Sequence, residues 1–411
     1  MKIVTADDSR YALLRSSYTR TSSPAVVLLP TSAEQVRQAL AYARERGLPI
    51  TVRSGGHGLA PRDSDGGAVI DLSGLDRVDV LDRANRLVRV GAGARWARVA
   101  AALRPHGLAI SSGDHGNVGV GGLATGGGVG WLVRSFGLTI DRVRAVDVLL
   151  ADGTLVRADA SHEPDLFWAV RGAGAGVGIV LAIEIEAAEV TNVGLTQLAL
   201  LADPDGRTLT RWRDAVAEAP RSLSTMAMLM PYGDATVLQI TAVTADGDLG
   251  PARPLTKIGK LLDSSSGVVP YTSLVPTAHL HPNVGQQPAT TTNGLLTLDR
   301  GSARALMTAS NSAFVQLRSM GGAVNDVPAE ATAYPHRHQD TLAVATVFPP
   351  HGARVLDATW RPVARHADGA YVNFESRPAE HFDRVYPGET GARVRKLRHH
   401  YDPVGVLSPP G

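Results

Sequence analysis

One histidine, His57, lies inside a glycine-rich stretch, "TVRSGGHGLAP", at residues 51–61. A turn needs one or two glycines, but here Gly55, Gly56 and Gly58 surround a single imidazole. Glycine has no Cβ atom, so a second group can approach its backbone closely. The pattern therefore predicts a bare backbone surface on which a ligand lies, with His57 beside it.

Two further glycine-rich runs follow, "ISSGDHGNVGVGGLATGGGVGWL" at 110–132 and "RGAGAGVGIV" at 171–180. Backbone N–H groups can point at phosphate oxygens where Cβ atoms are absent, and such sites need no lysine. Any one run could be a set of tight turns. Three runs together favour the walls of one site for an extended ligand that carries a pyrophosphate.

A Rossmann site is the competing interpretation of the second run. The segment "GVGGLA" at 119–124 fits a degenerate dinucleotide fingerprint, and Asp141 follows at about the right distance. In that fingerprint a helix begins at the last glycine, whereas here the glycines continue to Gly130. This composition predicts irregular structure without a helix, and so disfavours the Rossmann alternative.

The first loop follows a predicted helix–strand unit. Thr31 and Glu34 have the spacing of a capping box, and Gly47 ends the helix that they begin. The segments "PITVRS" at 49–54 and "AVIDLS" at 68–73 are predicted strands on either side of the loop. His57 is thus expected at a strand end.

The remaining elements change character along the chain. We predict a second helix over 96–103, and a hairpin over 145–158 that turns at Asp152-Gly153. From about residue 190 glycine becomes scarcer, and the alternating stretches 235–244 and 341–348 indicate a mostly antiparallel sheet with helices. This part is predicted to be a separate, substrate-facing domain.

Composition excludes several functions. With 411 residues the chain suits two domains, and its net charge of +2 creates no strong attraction to nucleic acid or membranes. No apolar run is long enough for a transmembrane helix or a signal peptide, so we expect a cytoplasmic protein. The chain has no cysteine, which excludes disulfides, thiolate nucleophiles and zinc–sulfur sites.

The motifs "VRSGGHG", "VGVGGLATGGGVGWLVRSFGLTIDRV", "DLFWAVRGAGAGVGIV", "ATAYPHR", "YVNF" and "YDP" occur in this order. Together they resemble the vanillyl-alcohol-oxidase superfamily, in its berberine-bridge-enzyme-like branch, densely over 24–186 and again at 322–348 and 370–404. The resemblance implies an α+β fold. A PCMH-type FAD-binding domain of two α+β subdomains would span 1–190, an antiparallel sheet covered by helices would form a substrate domain over 191–369, and 370–411 would return to the FAD-binding domain.

The resemblance also implies a role for His57, which would be bonded to the 8α methyl group of FAD, while residues 53–58 wrap the pyrophosphate. Relatives often carry a second anchor, a cysteine on flavin C6, where this chain has His115. We therefore expect FAD to be attached through His57 only. His115 would lie near the C6 edge, either as a packed neighbour or facing the substrate.

Other departures from the family pattern concern which side chains touch FAD. The third loop has Gly176-Val177 in place of Asn-Phe, and the closing "DPxNxF" pattern is altered at 402–407. The implied cofactor-binding residues are Arg53, Ser54, Gly55, Gly56, His57, Gly58, Gly113, Asp114, Gly119, Gly122, Gly126, Gly127, Gly128, Gly130, Gly178, Val180, Tyr371 and Asn373.

The intact "YVNF" motif implies that Tyr371 and Asn373 return to the flavin ring and the substrate. Together with His115 they are the predicted catalytic residues. The candidate bases are Tyr371 and His115, with Tyr334 behind them.

Histidine pairs give weaker signals. His279 with His281, and His336 with His338, have the i, i+2 spacing that would place two rings on one strand face. No carboxylate cluster accompanies either pair, so we predict no metal. The basic run at 393–400 is interpreted as a solvated helix face.

The leading functional hypothesis is an FAD-dependent oxidase of an alcohol, sugar, amine or secondary metabolite, with the electrons passed to O2. One alternative is a tailoring enzyme, either an oxidative cyclase or a redox-neutral isomerase or cyclase. Another is a flavin-binding carrier without turnover. The expected partners are a small-molecule substrate and O2, and the sequence specifies neither the substrate nor the oligomeric state.

Overall fold

The computed structural model of the protein describes residues 1–60, 64–174, 176–276 and 288–407. The predicted α+β class is confirmed, because within these residues three large sheets and a two-stranded ribbon alternate with helices. The ribbon consists of β7 (Leu108–Ala109) and β11 (Ala188–Glu189). The described helices are α1 (Tyr11–Leu14), α2 (Ala33–Glu45), α3 (Trp96–Leu103), α4 (Val120–Gly126), α5 (Val133–Phe136), α6 (Pro164–Val170), α7 (Arg207–Glu218), α8 (Arg300–Ala309), α9 (Ala353–Ala364), α10 (Phe382–Val385) and α11 (Gly388–Tyr401).

The first sheet carries the His57 loop. Its strand order is β1-β2-β4-β3, in which β1 is antiparallel to β2 and the other pairs are parallel. The loop leaves the end of β3, as predicted. The strands are β1 (Lys2–Val4), β2 (Val26–Leu29), β3 (Ile50–Arg53) and β4 (Ala68–Asp71).

Helix α2 precedes β3, and its cap differs from the prediction. Ser32 is the N-cap and accepts a hydrogen bond from Gln35 N at 3.3 Å. The predicted cap residue, Thr31, instead contacts the Gln35 side-chain carbonyl through its backbone N–H and its hydroxyl. The predicted N-cap was therefore wrong by one residue. Thr31 and Ser32 both have the hydroxyl that an N-cap requires, so residue type alone did not distinguish them.

The second sheet is antiparallel throughout, in the order β5-β6-β10-β8-β9. It contains the predicted hairpin as β8 and β9. Its apolar side packs with α3, α6 and the C-terminal helix α11 in one core. The strands are β5 (Val78–Asp82), β6 (Leu87–Gly91), β8 (Val143–Leu149), β9 (Leu155–Asp159) and β10 (Ile179–Glu186).

The second glycine run contains a helix that composition argues against. Residues 120–126 form α4, although three of its seven residues are glycine. Each interior glycine costs roughly 0.5–1 kcal/mol relative to alanine. A Cβ on Gly121 would lie 3.1 Å from the Ala92 carbonyl oxygen, so a larger residue there would press on the neighbouring backbone. The prediction of irregular structure was wrong here, because glycine at position 121 reflects close packing against Ala92 and not an irregular backbone.

The third sheet has eight antiparallel strands in the order β15-β12-β14-β13-β17-β18-β16-β19, and it confirms the predicted helix-covered antiparallel sheet. One face packs against α7, α8 and α9. The other face meets the glycine-rich segment and Tyr371 through residues such as Leu342 and Val344. The strands are β12 (Asn192–Leu201), β13 (Leu223–Tyr232), β14 (Ala235–Thr244), β15 (Lys260–Pro270), β16 (Thr290–Leu296), β17 (Phe314–Ser319), β18 (Thr341–Val347) and β19 (Ala367–Gly369).

The C-terminal segment packs beside the N-terminal elements. Tyr386, Val394 and Leu397 belong to the core of the second sheet. Asp402 accepts hydrogen bonds from the backbone N–H groups of Val406 and Leu407 at 2.7 and 2.6 Å, which holds the closing turn. The domain boundaries at 190 and 369 stay predictions. Among the described helices, none combines the length and apolarity needed to cross a membrane.

Candidate active site

The first two glycine loops contact each other through their backbones. A Cβ atom added to Gly55 would lie 2.6 Å from Gly119 Cα, and one added to Gly119 would lie equally close to Gly55 Cα. Real Cβ atoms do not approach a backbone this closely, so both positions require glycine. These two residues are bare because the loops lie against each other, and this contact fixes the start of α4 beside the His57 loop.

Gly122, one turn into α4, has a different environment. A Cβ atom there meets no atom of the described residues within 4 Å. Gly58, in the first loop, is nearly as open, with its nearest atom at 3.9 Å. These two glycines therefore face space that a ligand can occupy, as the sequence predicts for the glycine runs as a whole.

The contrast between Gly119 and Gly122 gives a first prediction. Gly119→Ala should destabilise the fold by roughly 1–3 kcal/mol, because the new methyl group overlaps the Gly55 backbone. Gly122→Ala should keep or slightly raise stability, since alanine favours a helix. If Gly122 faces the cofactor, this variant should nevertheless lose flavin. Thermal unfolding and the ratio of flavin to protein absorbance measure both effects, and equal flavin content in Gly122→Ala and wild type would contradict the prediction for Gly122.

His57 lies between two aromatic rings. Tyr18 stacks on it with centroids 4.3 Å apart and an interplanar angle of 13°, and His115 lies on another side at 5.0 Å. Tyr18 N donates to the Gly56 carbonyl at 2.8 Å, so the Tyr18 segment is held against the loop. Burial raises the pKa of Tyr18. The structure therefore brings His57 and His115 together, and it adds Tyr18, for which no sequence motif gave a signal.

Arg53 and Ser54 support the His57 loop from within the protein. Arg53 Nε donates to Asp71 at 2.7 Å and its Nη1 donates to the Ser16 carbonyl at 3.0 Å. Ser54 Oγ donates to the Ala92 carbonyl at 2.6 Å. The Nη2 of Arg53 is buried without a hydrogen-bond partner in the described residues. Most of the polar capacity of these two side chains is therefore used to hold the loop.

Tyr371 and Asn373 meet the far end of α4. The Tyr371 hydroxyl accepts hydrogen bonds from Gly128 N at 2.9 Å and from Asn373 Nδ2 at 2.8 Å. Tyr371 is only 2% exposed. Burial raises its pKa, and the two N–H donors partly oppose that shift because they stabilise the phenolate. Cβ atoms on Gly126 and Gly127 would collide with Asn373 and Tyr371, respectively.

Asn293 fixes the Tyr371 backbone from the third sheet. Its side chain accepts from Tyr371 N at 2.7 Å and donates to the Tyr371 carbonyl at 3.0 Å. Sequence reasoning missed this residue, because Asn293 follows three threonines in β16 and its complete burial becomes visible only in the fold. Tyr334 lies behind Tyr371, with ring centroids 6.1 Å apart, and its buried hydroxyl has no hydrogen-bond partner within the described ranges. Burial raises its pKa.

Asp114 pairs with a cation of the third sheet. Arg318 Nη1 lies 2.6 Å from Asp114 Oδ2, and the guanidinium lies 4.8 Å from the centroid of the Phe374 ring. Asp114 was predicted as a cofactor contact, whereas Arg318 was not predicted at all. Residue 318 lies in the part of the chain without recognisable motifs, so only the fold could reveal it.

Asp141 has a structural role that removes the Rossmann alternative. Both of its carboxylate oxygens accept hydrogen bonds from Arg337 at 2.9 Å, and Leu138 N donates to one of them at 2.8 Å. The side chains of Asp141 and Arg337 are 5% and 1% exposed. Asp141 is therefore committed to this buried pair and to the following turn. The neighbouring sheet is antiparallel, which a Rossmann unit is not.

The remaining predicted residues occupy packed positions. Gly113 lies against Leu123 and Gly130 against the Ser112 carbonyl. Gly178 has a φ of +154° and lies against Val148, and Val180 pairs with Val148 within the second sheet. The structure thus places Gly178 and Val180 at the beginning of β10, where they contact protein.

The histidine pairs do not form a metal site in the described chain. His336 is buried, with its Nε2 3.1 Å from the Val385 carbonyl oxygen, and burial lowers its pKa to about 4. His338 is exposed and the segment is not a strand, so the two rings share no face. His279 and His281 lie outside the described residues. Within the described ranges no cluster of three or more metal-binding side chains occurs.

Comparison with known proteins identifies a domain that contains the first two glycine loops. Residues 24–159 match the family described as "FAD binding domain". The (R)-6-hydroxynicotine oxidase of Paenarthrobacter nicotinovorans is 27% identical over 98% of this chain and 94% of its own. Residues 24–159 therefore form an FAD-binding domain, and the protein is an FAD-dependent oxidoreductase. An FAD-binding domain accounts for the glycine loops without a Rossmann fold: the first two meet at Gly55 and Gly119, and Gly172 N and Gly174 N of the third donate to the Thr125 carbonyl.

Solved structures share the whole fold. A berberine-bridge-enzyme-like protein of Physcomitrella patens superposes with a TM-score of 0.89 at 22% identity, over 100% of this chain and 96% of its own. A glucooligosaccharide oxidase of Acremonium strictum, described with a 6-S-cysteinyl, 8α-N1-histidyl FAD, superposes with a TM-score of 0.86 at 21% identity, over 99% and 95% of the two chains. At this identity the likeness establishes the fold.

Proposed function

We propose that this FAD-linked oxidoreductase is an oxidase, which takes a hydride from an alcohol, sugar, amine or secondary metabolite and passes the electrons to O2. The observation that carries the proposal is the arrangement of both ends of α4. Its first end lies beside the His57 loop through the Gly55–Gly119 contact, and its last residue lies against Asn373. Seven helical residues span about 10 Å, so a cofactor anchor and a substrate-facing pair are held at a fixed separation.

The residues present suit FAD. The backbone around Gly58 and Gly122 is open, His57 lies beside it, and Arg53 Nη2 is a buried donor with no protein partner in the described chain. When bound, FAD supplies an acceptor for a hydride from the substrate. The chain's own residues would hold it, with His57 as the covalent anchor and the backbone of loops 53–58 and 113–130 beside the rest of the molecule.

The composition excludes a second attachment through cysteine. The chain contains no cysteine, so the 6-S-cysteinyl bond described for the glucooligosaccharide oxidase has no counterpart. His115, which stands at that position in the motif, lies 5.0 Å from His57 between ring centroids. We assign His57 as the attachment point and His115 as its neighbour at the flavin edge.

Tyr371 is the better candidate for the base. Its oxygen already accepts two N–H bonds, which favour the phenolate that a base requires. His115 Nδ1 accepts a hydrogen bond from Asn117 N at 3.2 Å. In the neutral ring this bond assigns the proton to Nε2, which then donates and does not accept. Tyr371 would therefore take the proton from the substrate heteroatom, while Asn373 holds its hydroxyl.

Oxygen consumption tests the proposed function. The holoenzyme is mixed with alcohols, sugars and amines, and O2 uptake is compared with anaerobic bleaching of the flavin. If the protein is an oxidase, its substrate bleaches the flavin under anaerobic conditions, and O2 is consumed when air is present. Conversion of a substrate with no net O2 uptake would instead support the redox-neutral isomerase or cyclase, and the absence of any bleaching would support a carrier.

A further inference from the structure

Arg318 is a buried cation beside the proposed active site. It lies on β17 and is 7% exposed. Its Nη1 pairs with Asp114, its Nη2 makes a long 3.5 Å contact with Gln316 Oε1, and its guanidinium lies over Phe374. It therefore connects three parts of the site: the loop that carries His115, the sheet that faces the glycine-rich segment, and the return segment that carries Tyr371.

The Nε–H of Arg318 has no hydrogen-bond acceptor in the described chain, although it is buried. A buried donor without a partner is costly and is rare in folded proteins. The neighbouring groups do not relieve it, because Asp114 binds the opposite side of the fork and Phe374 presents only its ring face. An acceptor from outside the described protein atoms would satisfy this group.

The position of Arg318 identifies what such an acceptor would belong to. Phe374, under the guanidinium, packs edge-on against Tyr371 with ring centroids 5.4 Å apart. Asp114 immediately precedes His115. Only the ring of Phe374 would therefore separate a group bound to Arg318 from Tyr371, the proposed base. Since the cofactor is assigned to the glycine loops, we take the acceptor to be an oxygen of the substrate.

We propose that Arg318 is a substrate-binding residue, whose Nε–H donates to an oxygen of the substrate, and that Asp114 and Phe374 hold it in place. This inference rests on the proposed function and narrows it to substrates that carry a hydroxyl, carbonyl or carboxylate oxygen beside the reacting carbon. A ligand whose polar group is a cation without an acceptor would be rejected, since a guanidinium has only donors.

Three probes of the same shape test this proposal without turnover. Benzamide offers a neutral oxygen, benzoate an anionic one, and benzamidinium only N–H donors. Binding to the holoenzyme is followed by the change in the flavin absorption band. We expect benzamide, benzoate or both to bind and benzamidinium to bind at least tenfold more weakly. Stronger binding of benzamide would indicate a neutral substrate oxygen, and stronger binding of benzoate a carboxylate.

Two variants separate the donor from the charge. Arg318→Met removes both, and Arg318→Lys keeps a cation for Asp114 and Phe374 but lacks the Nε–H. Each should raise the Kd of the oxygen probes by about 10- to 100-fold, the effect of one hydrogen bond to a charged group. Arg221→Met is the matched control, because Arg221 forms an exposed pair with Asp326. It should leave the Kd unchanged.

Several results would overturn the role of Arg318. These are tighter binding of benzamidinium than of both oxygen probes, no perturbation by any of the three, or an unchanged Kd in Arg318→Lys and Arg318→Met. Since the assay measures binding and not turnover, these results are distinct from failure of the oxidase proposal, which appears as absent bleaching and O2 uptake.

Discussion

Replacing His57 by alanine should abolish the covalent flavin attachment that we propose for this protein. Wild-type protein precipitated with acid should stay yellow, and its intact mass should exceed that of the polypeptide by one FAD. The His57→Ala variant should release its flavin into the supernatant and show the bare polypeptide mass, because His57 is the single attachment point that we propose. Mass spectrometry of the intact chain and of its tryptic peptides measures this directly.

His115→Ala is the matched control for the anchor. His115 is the ring beside His57, at 5.0 Å between centroids, so its loss changes the surroundings without removing the proposed attachment atom. The variant should keep the full mass increase. An adduct on the peptide that contains His115, or flavin released completely from wild-type protein by acid, would show that the single attachment through His57 is wrong.

Replacing Tyr371 by phenylalanine should slow anaerobic flavin reduction by roughly 100- to 10,000-fold, the range for loss of a positioned base. A base acts in its deprotonated form, so the wild-type rate should rise with pH toward the pKa of Tyr371, which burial raises. The variant should lose this rise. Asn373→Ala should slow reduction by roughly 10- to 1000-fold and keep the flavin attached. Stopped-flow reduction across a pH series measures both.

A stability measurement must accompany the Tyr371 variants. Phenylalanine removes the acceptor of Gly128 N and one of the two acceptors of Asn373 Nδ2, which costs about 1–3 kcal/mol. Rates should therefore be compared at temperatures where thermal unfolding shows both proteins folded. Wild-type rates and an unchanged pH profile in Tyr371→Phe would remove the phenol from the chemistry and return His115 to consideration.

Local patterns in the sequence predicted much of the framework. The helix at 96–103, the hairpin around Gly153 and the antiparallel strands after residue 190 follow from periodicity and turn residues, which act over a few positions. The glycine runs were predicted to be parts of one site, and this stays a prediction. Gly55 and Gly119 must be glycine because their backbones pack against each other, whereas a side chain at Gly122 would meet no described atom. Composition alone could not show this difference, because it depends on which loops are in contact.

The partners of the site residues were beyond reach for the same reason. Tyr18 reaches His57 from a segment with no motif, and Arg318 reaches Asp114 across 204 positions of the sequence. Asn293 holds Tyr371 from a strand 78 residues away. No local sequence pattern predicts such long-range contacts. The family motifs pointed to residues such as Tyr371 and Asn373 but not to the residues that contact them. The helix α4 was missed since its stability comes from tertiary packing.

The contact of α4 with the segment that carries Tyr371 and Asn373 also affects the order in which the site is assembled during synthesis. Gly128 and Tyr371 are 243 residues apart, and Leu123 and Asn373 are 250 apart. During synthesis the His57 loop leaves the ribosome long before the residues that complete the other end of the site. Contacts of such long separation form late and slowly in folding. The segment that carries Tyr371 and Asn373 is synthesised last, so we expect the proposed attachment of flavin to His57 to follow release of the finished chain.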